Sequence, residues 1–274
     1  MKKLMKEGWR LLYPVLVYFI AALAVEVGAI FVFGMKESRV SGAGIRVEED
    51  AAEWINRYSL LITSIVNGIL IPIFLLFMRA DERARLAEGG ARYRMPKAFQ
   101  AVILLLLGMS AAVSVNALVS LSGLQYLSPK YQEVSEIIYS GSVAMEILSA
   151  AILAPVLEEL LFRGLIYKRL RGYCKAVWAI PVSAALFGIF HGNLVQFAYA
   201  FIIGCMLAYV YEKYKTILAP IAFHMGANFL SILLTEFLPQ RYMTVRNVLI
   251  AMLVTLVLTV VLLKYVSRYK VEIV

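Results

Sequence analysis

The sequence predicts an all-α fold: a polytopic transmembrane helical bundle of about eight membrane-spanning helices, forming a single integral membrane domain over residues 1–274. Three observations predict it. Apolar residues make up 62% of the chain and charged residues 16%, with a mean hydropathy of +0.79; a soluble domain carries roughly 45–50% apolar and about 25% charged residues. The apolar residues gather into runs of about 17–24, long enough to cross roughly 30 Å of hydrocarbon as helix. The runs do not alternate in ten-residue segments, as the strands of a membrane barrel would, and helices are the other structure that satisfies its own backbone in lipid.

The first run, 11–34, follows Lys2, Lys3 and Lys6 and contains Ala22-Leu23-Ala24, which resembles a signal-peptide cleavage site. Its apolar character continues to Gly34, so an uncleaved anchor is expected. Runs at 58–78, 98–121 and 142–161 follow. The next two, 176–192 and 195–211, are separated only by Gly192-Asn193. The last two are 216–235 and 247–265. No internal repeat, low-complexity tract or loop longer than about 25 residues interrupts them, so no separate soluble domain is expected.

The net charge of +9 could indicate nucleic acid, but its distribution excludes that reading. With the N-terminus inside and the sides alternating, the inner segments hold 20 of the 27 basic residues, among them Arg79, Arg83, Arg85, Lys168, Arg169 and Arg171. The asymmetry is a topology signal. It predicts both termini in the cytoplasm, the lipid bilayer as partner with anionic headgroups at its inner face, and no nucleic-acid partner. Cys174 and Cys205 sit in an inner loop and a span, in no CxxC pattern, and are expected as free thiols.

Ionisable groups within spans cost roughly 2.5–3.5 kcal/mol each on insertion scales, so each asks for a reason. Glu26, Asn67, Asn116 and Glu146 are isolated, and a packing or interhelical hydrogen-bonding role is expected for them. The pair Glu158-Glu159 differs. Arg163 stands four residues after Glu159, on the same helix face and in the favourable order. Glu158 points about 100° away, which leaves one carboxylate neutralised and one free to act as a base. Pro155 frees a backbone carbonyl just upstream.

The chain has two histidines, both inside apolar runs. If the fourth helix continues through Leu170 and turns near Gly172–Lys175, Glu158 and His191 are equidistant from the turn and therefore level. His224 and Asn228, four residues apart and on one face, reach a similar depth, roughly 13–20 Å from Lys215 at 1.5 Å per residue. A base and several N–H donors at one level suit amide hydrolysis, which needs an activated water and support for an oxyanion.

These residues also form three ordered motifs: Glu158-Glu159-Leu160-Leu161-Phe162-Arg163 fits EExxxR, Phe187 to His191 fits FxxxH, and His224 to Asn228 fits HxxxN. In this order on successive spans they resemble the CAAX protease and bacteriocin-processing (Abi) family of intramembrane glutamate proteases, over roughly 142–232. The resemblance implies an eight-helix fold and metal-independent peptide hydrolysis without a cofactor. It implies that Glu158 activates water with His191 assisting, that His224 and Asn228 form the oxyanion hole, and that Glu159, Arg163 and Phe187 support the site. The family's substrates range from prenylated or otherwise lipidated C-termini to peptides. Residues 1–140 carry no motif of this kind.

Two other readings remain open on the residues alone. Two His and one Glu are a complete catalytic zinc set, and a polar cluster in a membrane can relay protons in a transporter or serve a non-catalytic scaffold or immunity protein. Short outer loops favour a bacterial cytoplasmic membrane.

Overall fold

The computed structural model describes residues 2–40, 53–139 and 141–274. The architecture is all-α. Its main helices are α1 (Lys2–Val40), α2 (Ser59–Ala87), α3 (Ala98–Ser122), α4 (Pro129–Ile138), α5 (Val143–Leu170), α6 (Ala176–Phe190), α7 (Leu194–Tyr214), α8 (Leu218–Phe237) and α9 (Val245–Ser267). Each of the eight expected runs falls on one of them, overrunning its ends by at most two residues. Among the described residues, six helices are long and apolar enough to span a membrane unaided.

The count of eight spans therefore needs qualification at two places. α6 has 15 residues, roughly 22 Å of helix, short of a roughly 30 Å hydrocarbon core. α5 meets the length and apolarity criteria together with α4, to which it is bent by 110°. α4 itself falls where the sequence reading placed a loop. Ser128 caps it by accepting from the Tyr131 N–H, and Pro129 occupies its first turn, where a missing N–H costs nothing.

α5 is not uniform. It passes from α-helix (Val143–Glu146) to π-helix (Ile147–Leu153), α-helix (Ala154–Glu159), π-helix (Leu160–Tyr167) and a last α turn (Lys168–Leu170). Pro155 shapes the second transition, from π back to α. The Ala154 N–H donates to Ser149 O in the π pattern; the next donor in that ladder would be residue 155, and proline has none. Ala150 O, the carbonyl so freed, accepts instead from Asn228 Nδ2 of α8 at 2.8 Å. The expected loose carbonyl thus becomes an interhelical clamp.

Apolar burial does not drive helix association in lipid, so close approach and hydrogen bonds must. α3 and α8 cross backbone to backbone. A Cβ on Gly108 would lie 1.8 Å from Phe223 O, and one on Gly226 would lie 2.4 Å from Leu105 O. α9 joins α3 through Ser114–Thr255 (2.8 Å) and Thr259–Ser110 (3.0 Å). At the end carrying most of the basic residues, ion pairs tie four helices into a collar: Arg169–Asp81 (2.7 Å), Lys168–Glu82 (2.6 Å), Arg10–Asp81 (3.2 Å) and, beside the α5–α6 turn, Arg171–Glu212 (3.2 Å). Between the collar and the opposite end lies a core that includes Leu70, Phe74, Leu104, Leu107, Leu157 and Phe223.

Candidate active site

The α5–α6 hairpin sets the level of the site. Ser183 Oγ donates to Phe162 O at 3.3 Å, and the Phe162 and Phe187 rings meet edge-on at 5.1 Å. This antiparallel register brings Glu158 and His191 to one level, as the hairpin argument requires. α6 stops there because Gly192 adopts φ +74°, a left-handed conformation that suits glycine, with its N–H on Ile189 O. Asn193 then starts α7 by accepting from the Gln196 N–H at 2.8 Å. His191 is left at the helix C-cap, with a ring that is not fully buried.

Glu159 and Arg163 form the expected i,i+4 pair, Nη1 to Oε1 at 2.8 Å, with both side chains fully buried. Arg163 Nη2 also donates to Gly204 O of α7 at 3.0 Å, and its guanidinium lies 4.5 Å from the Phe187 ring centre. The same Glu159 oxygen accepts from His224 Nδ1 at 2.9 Å. The spacing of residues did not reveal this second partner, which makes Glu159 the hub of α5, α7 and α8.

Glu158 keeps 20% of its side chain exposed. His224 Nε2 approaches its Oε2 to 3.7 Å, outside hydrogen-bonding range but within ion-pair range. Glu158 is therefore less isolated than the sequence reading made it. One imidazole stands between the two carboxylates, its Nδ1 committed to the buried one and its Nε2 turned to the accessible one. Because an ionised Glu159 can only accept, the hydrogen of that bond belongs to Nδ1; Nε2 then donates only when the ring is imidazolium.

His191 takes a complementary tautomer. Its Nδ1 lies 2.8 Å from Phe187 O, and a carbonyl can only accept, so Nε2 is left as the acceptor. Among the described residues, His191 makes no hydrogen bond to Glu158. Phe187 is the shared wall, edge-on to His191 at 4.8 Å and to His224 at 5.8 Å. Asn228, half-buried, spends one N–H on Ala150 O and retains the other.

Two tyrosines complete the surroundings. Tyr18 of α1 packs on Phe190 at 4.7 Å, Tyr199 of α7 faces the edge of His191 at 6.3 Å, and both lie close enough to Glu158 to feel its charge. Neither carries a sequence signal, since 16 tyrosines are spread along the chain. Of the isolated intramembrane polar residues, Asn116 bonds across helices to Ser231 Oγ at 3.1 Å, as expected. Glu26 is exposed on α1, while Asn67 and Glu146 are buried with atoms that have no hydrogen-bond partner among the described residues. Among the described residues, no three His, Cys, Asp or Glu side chains are grouped so as to hold a metal ion.

Residues 140–230 match the family model described as "Type II CAAX prenyl endopeptidase Rce1-like". The chain is also similar to a Bacillus subtilis (strain 168) protein named "Putative membrane peptidase YdiL", 31% identical over 87 residues, which are 32% of this chain. The match spans 36% of that relative's length. No solved structure matches.

Proposed function

We propose, from the membership of residues 140–230 in the CAAX protease and bacteriocin-processing family, that this integral membrane protein is an intramembrane glutamate peptidase. Its catalytic core is 142–232, and the division of labour between two adjacent carboxylates supports the reading. Glu159 is buried and committed to Arg163 and His224; Glu158 is accessible and makes no direct ion pair with Arg or Lys among the described residues. The first suits a structural anchor and the second a general base.

In the proposed reaction Glu158 takes a proton from water while the water oxygen attacks the scissile carbonyl carbon. His191 Nε2 accepts the second water hydrogen and orients the lone pair. The oxyanion forms beside the Nε2–H of imidazolium His224 and the remaining N–H of Asn228. Collapse breaks the C–N bond, and the proton held on Glu158 passes to the leaving amine. Glu159, fixed by Arg163, holds the His224 ring in place through the Nδ1 bond. Substrates are peptides or prenylated and otherwise lipidated protein termini at a bacterial cytoplasmic membrane, with both termini of the enzyme in the cytoplasm.

The test is cleavage of candidate peptides by purified, monodisperse variants, with and without chelator. Glu158→Gln keeps shape but removes the base, and turnover should fall by about 10²–10⁴-fold with folding intact. Unchanged cleavage in Glu158→Gln would refute the base. Chelator-sensitive cleavage restored by zinc would assign the site to a metallohydrolase.

A further inference from the structure

Six buried side-chain atoms lack a hydrogen-bond partner among the described residues: Ser59 Oγ, Asn67 Nδ2, both Glu146 oxygens, Glu159 Oε2 and Arg163 Nε. They are not scattered. All belong to α2 and α5, which pack side by side. Buried polar atoms are nearly always satisfied by protein or by ordered water. Protonating Glu146 would not remove the deficit, because its O–H would then lack an acceptor.

The register of the two helices orders these atoms by depth. Ser149 Oγ donates to Leu60 O at 3.3 Å near one end of the seam, and Gly164 packs against Met78 near the other. The helices are therefore parallel, and interpolation between these contacts sets Asn67 opposite Pro155, one turn from Glu158 and Glu159. Glu146 and Ser59 lie near Leu60 at the end remote from the charged collar, where Glu236, an exposed residue at the end of α8, is close enough for its charge to be felt. The unpartnered atoms thus run from that end of the bundle to the carboxylate pair. Residues 149–151 and 154 of α5 are serine or alanine, so α5 carries small side chains over this stretch, between the buried apolar Leu60, Val66 and Leu70 of α2 and Leu157 of α5. A buried water needs room for about one probe sphere and two to four polar neighbours.

We infer that the α2–α5 seam is a file of water sites leading from Glu146 through Asn67 to Glu158, and that it supplies the water consumed in hydrolysis. The inference rests on the peptidase reading for its purpose, but not for its detection. Water enters at the end bearing Glu236, reaches Glu158 from the α2 side, and leaves the surfaces of α1, α6 and α7 for the peptide.

Two measurements on the full-length protein in nanodiscs test it. In a background with Cys174→Ser and Cys205→Ala, Asn67→Cys and Ser149→Cys are exposed to a small, water-soluble methanethiosulfonate reagent, with Leu107→Cys, from the dry core, as control. Thiolate is the reactive form and requires water, so both seam positions should be modified at least about ten-fold faster than the control. Equal rates in folded variants would overturn the path whether or not the protein cleaves peptides. Separately, Asn67→Leu should lower kcat about ten-fold with KM unchanged, because a missing water slows chemistry without weakening peptide binding, and Asn67→Ser should restore it. A normal kcat in Asn67→Leu would refute water supply through the seam. If the labelling succeeds and no variant, wild type included, cleaves any peptide, the hydrated seam stands and the peptidase reading falls.

Discussion

The site and the collar both set glutamate against arginine, in opposite ways. In the collar each ion pair shares its partners with neighbours and retains some exposure: Arg169 and Lys168 meet Asp81 and Glu82, and Arg171 meets Glu212. A cleft of about 470 Å³ opens there among paired charges. At the site Glu159 and Arg163 are sealed from solvent, one oxygen serves two donors, and two polar atoms have no hydrogen-bond partner among the described residues. A matched, partly wet ion pair holds helices together and does little else. Reactivity is to be sought where burial makes charge expensive and one carboxylate beside the pair keeps its freedom.

Breaking a pair in each region should expose the contrast. The largest effect is expected at Arg163→Ala, which leaves Glu159 buried without its cation and should destabilise by about 3–5 kcal/mol, read as a fall in thermal midpoint together with lost turnover. Full stability with normal activity would remove Arg163 from its supporting role. Arg169→Ala comes next. Its guanidinium is 3% exposed and bonds Asp81, Tyr13 Oη and the Arg10 carbonyl, so a loss of about 1–3 kcal/mol is expected, consistent with charged hydrogen bonds, with kcat per folded molecule retained. Lys168→Ala, whose pair is 23% and 40% exposed, should cost about 0–1 kcal/mol and less at high salt. A larger loss at Lys168 than at Arg169 would invert the ranking by burial. Cys174, partly exposed beside the collar, orients the comparison: an impermeant thiol reagent should reach it only after the membrane is opened, and labelling in sealed, right-side-out cells would reverse the topology.

Much of this was legible in the sequence, for identifiable reasons. Burying charge in lipid is so costly that Glu158, Glu159, Arg163, His191 and His224 stand out, and helical rise alone was enough to bring Glu158 and His191 level. The Glu159–Arg163 pair followed from i,i+4 spacing. The bond from His224 to Glu159 did not, since spacing along one helix says nothing about how another helix is rotated. The π segments of α5 left no trace either, because a change from i→i+4 to i→i+5 bonding barely alters a run that is apolar on nearly all faces. α4 was hidden by its polarity, and Asn67 and Glu146 were read as packing residues because their missing partners are a property of three dimensions.

The crossing of α3 and α8 carries a consequence for how such a protein can change. His224 stands two residues from Gly226, and Gly226 rests on the backbone of Leu105, while Gly108 receives the backbone of Phe223. A helix outside the segment 140–230 is therefore the anvil against which a site helix is set. The N-terminal half lacks a motif of its own, yet it is not free to be exchanged. A transplanted 140–230 segment would need a host helix with a bare backbone at the equivalent of 108, and a single methyl group there would displace the histidine before any change touched the chemistry.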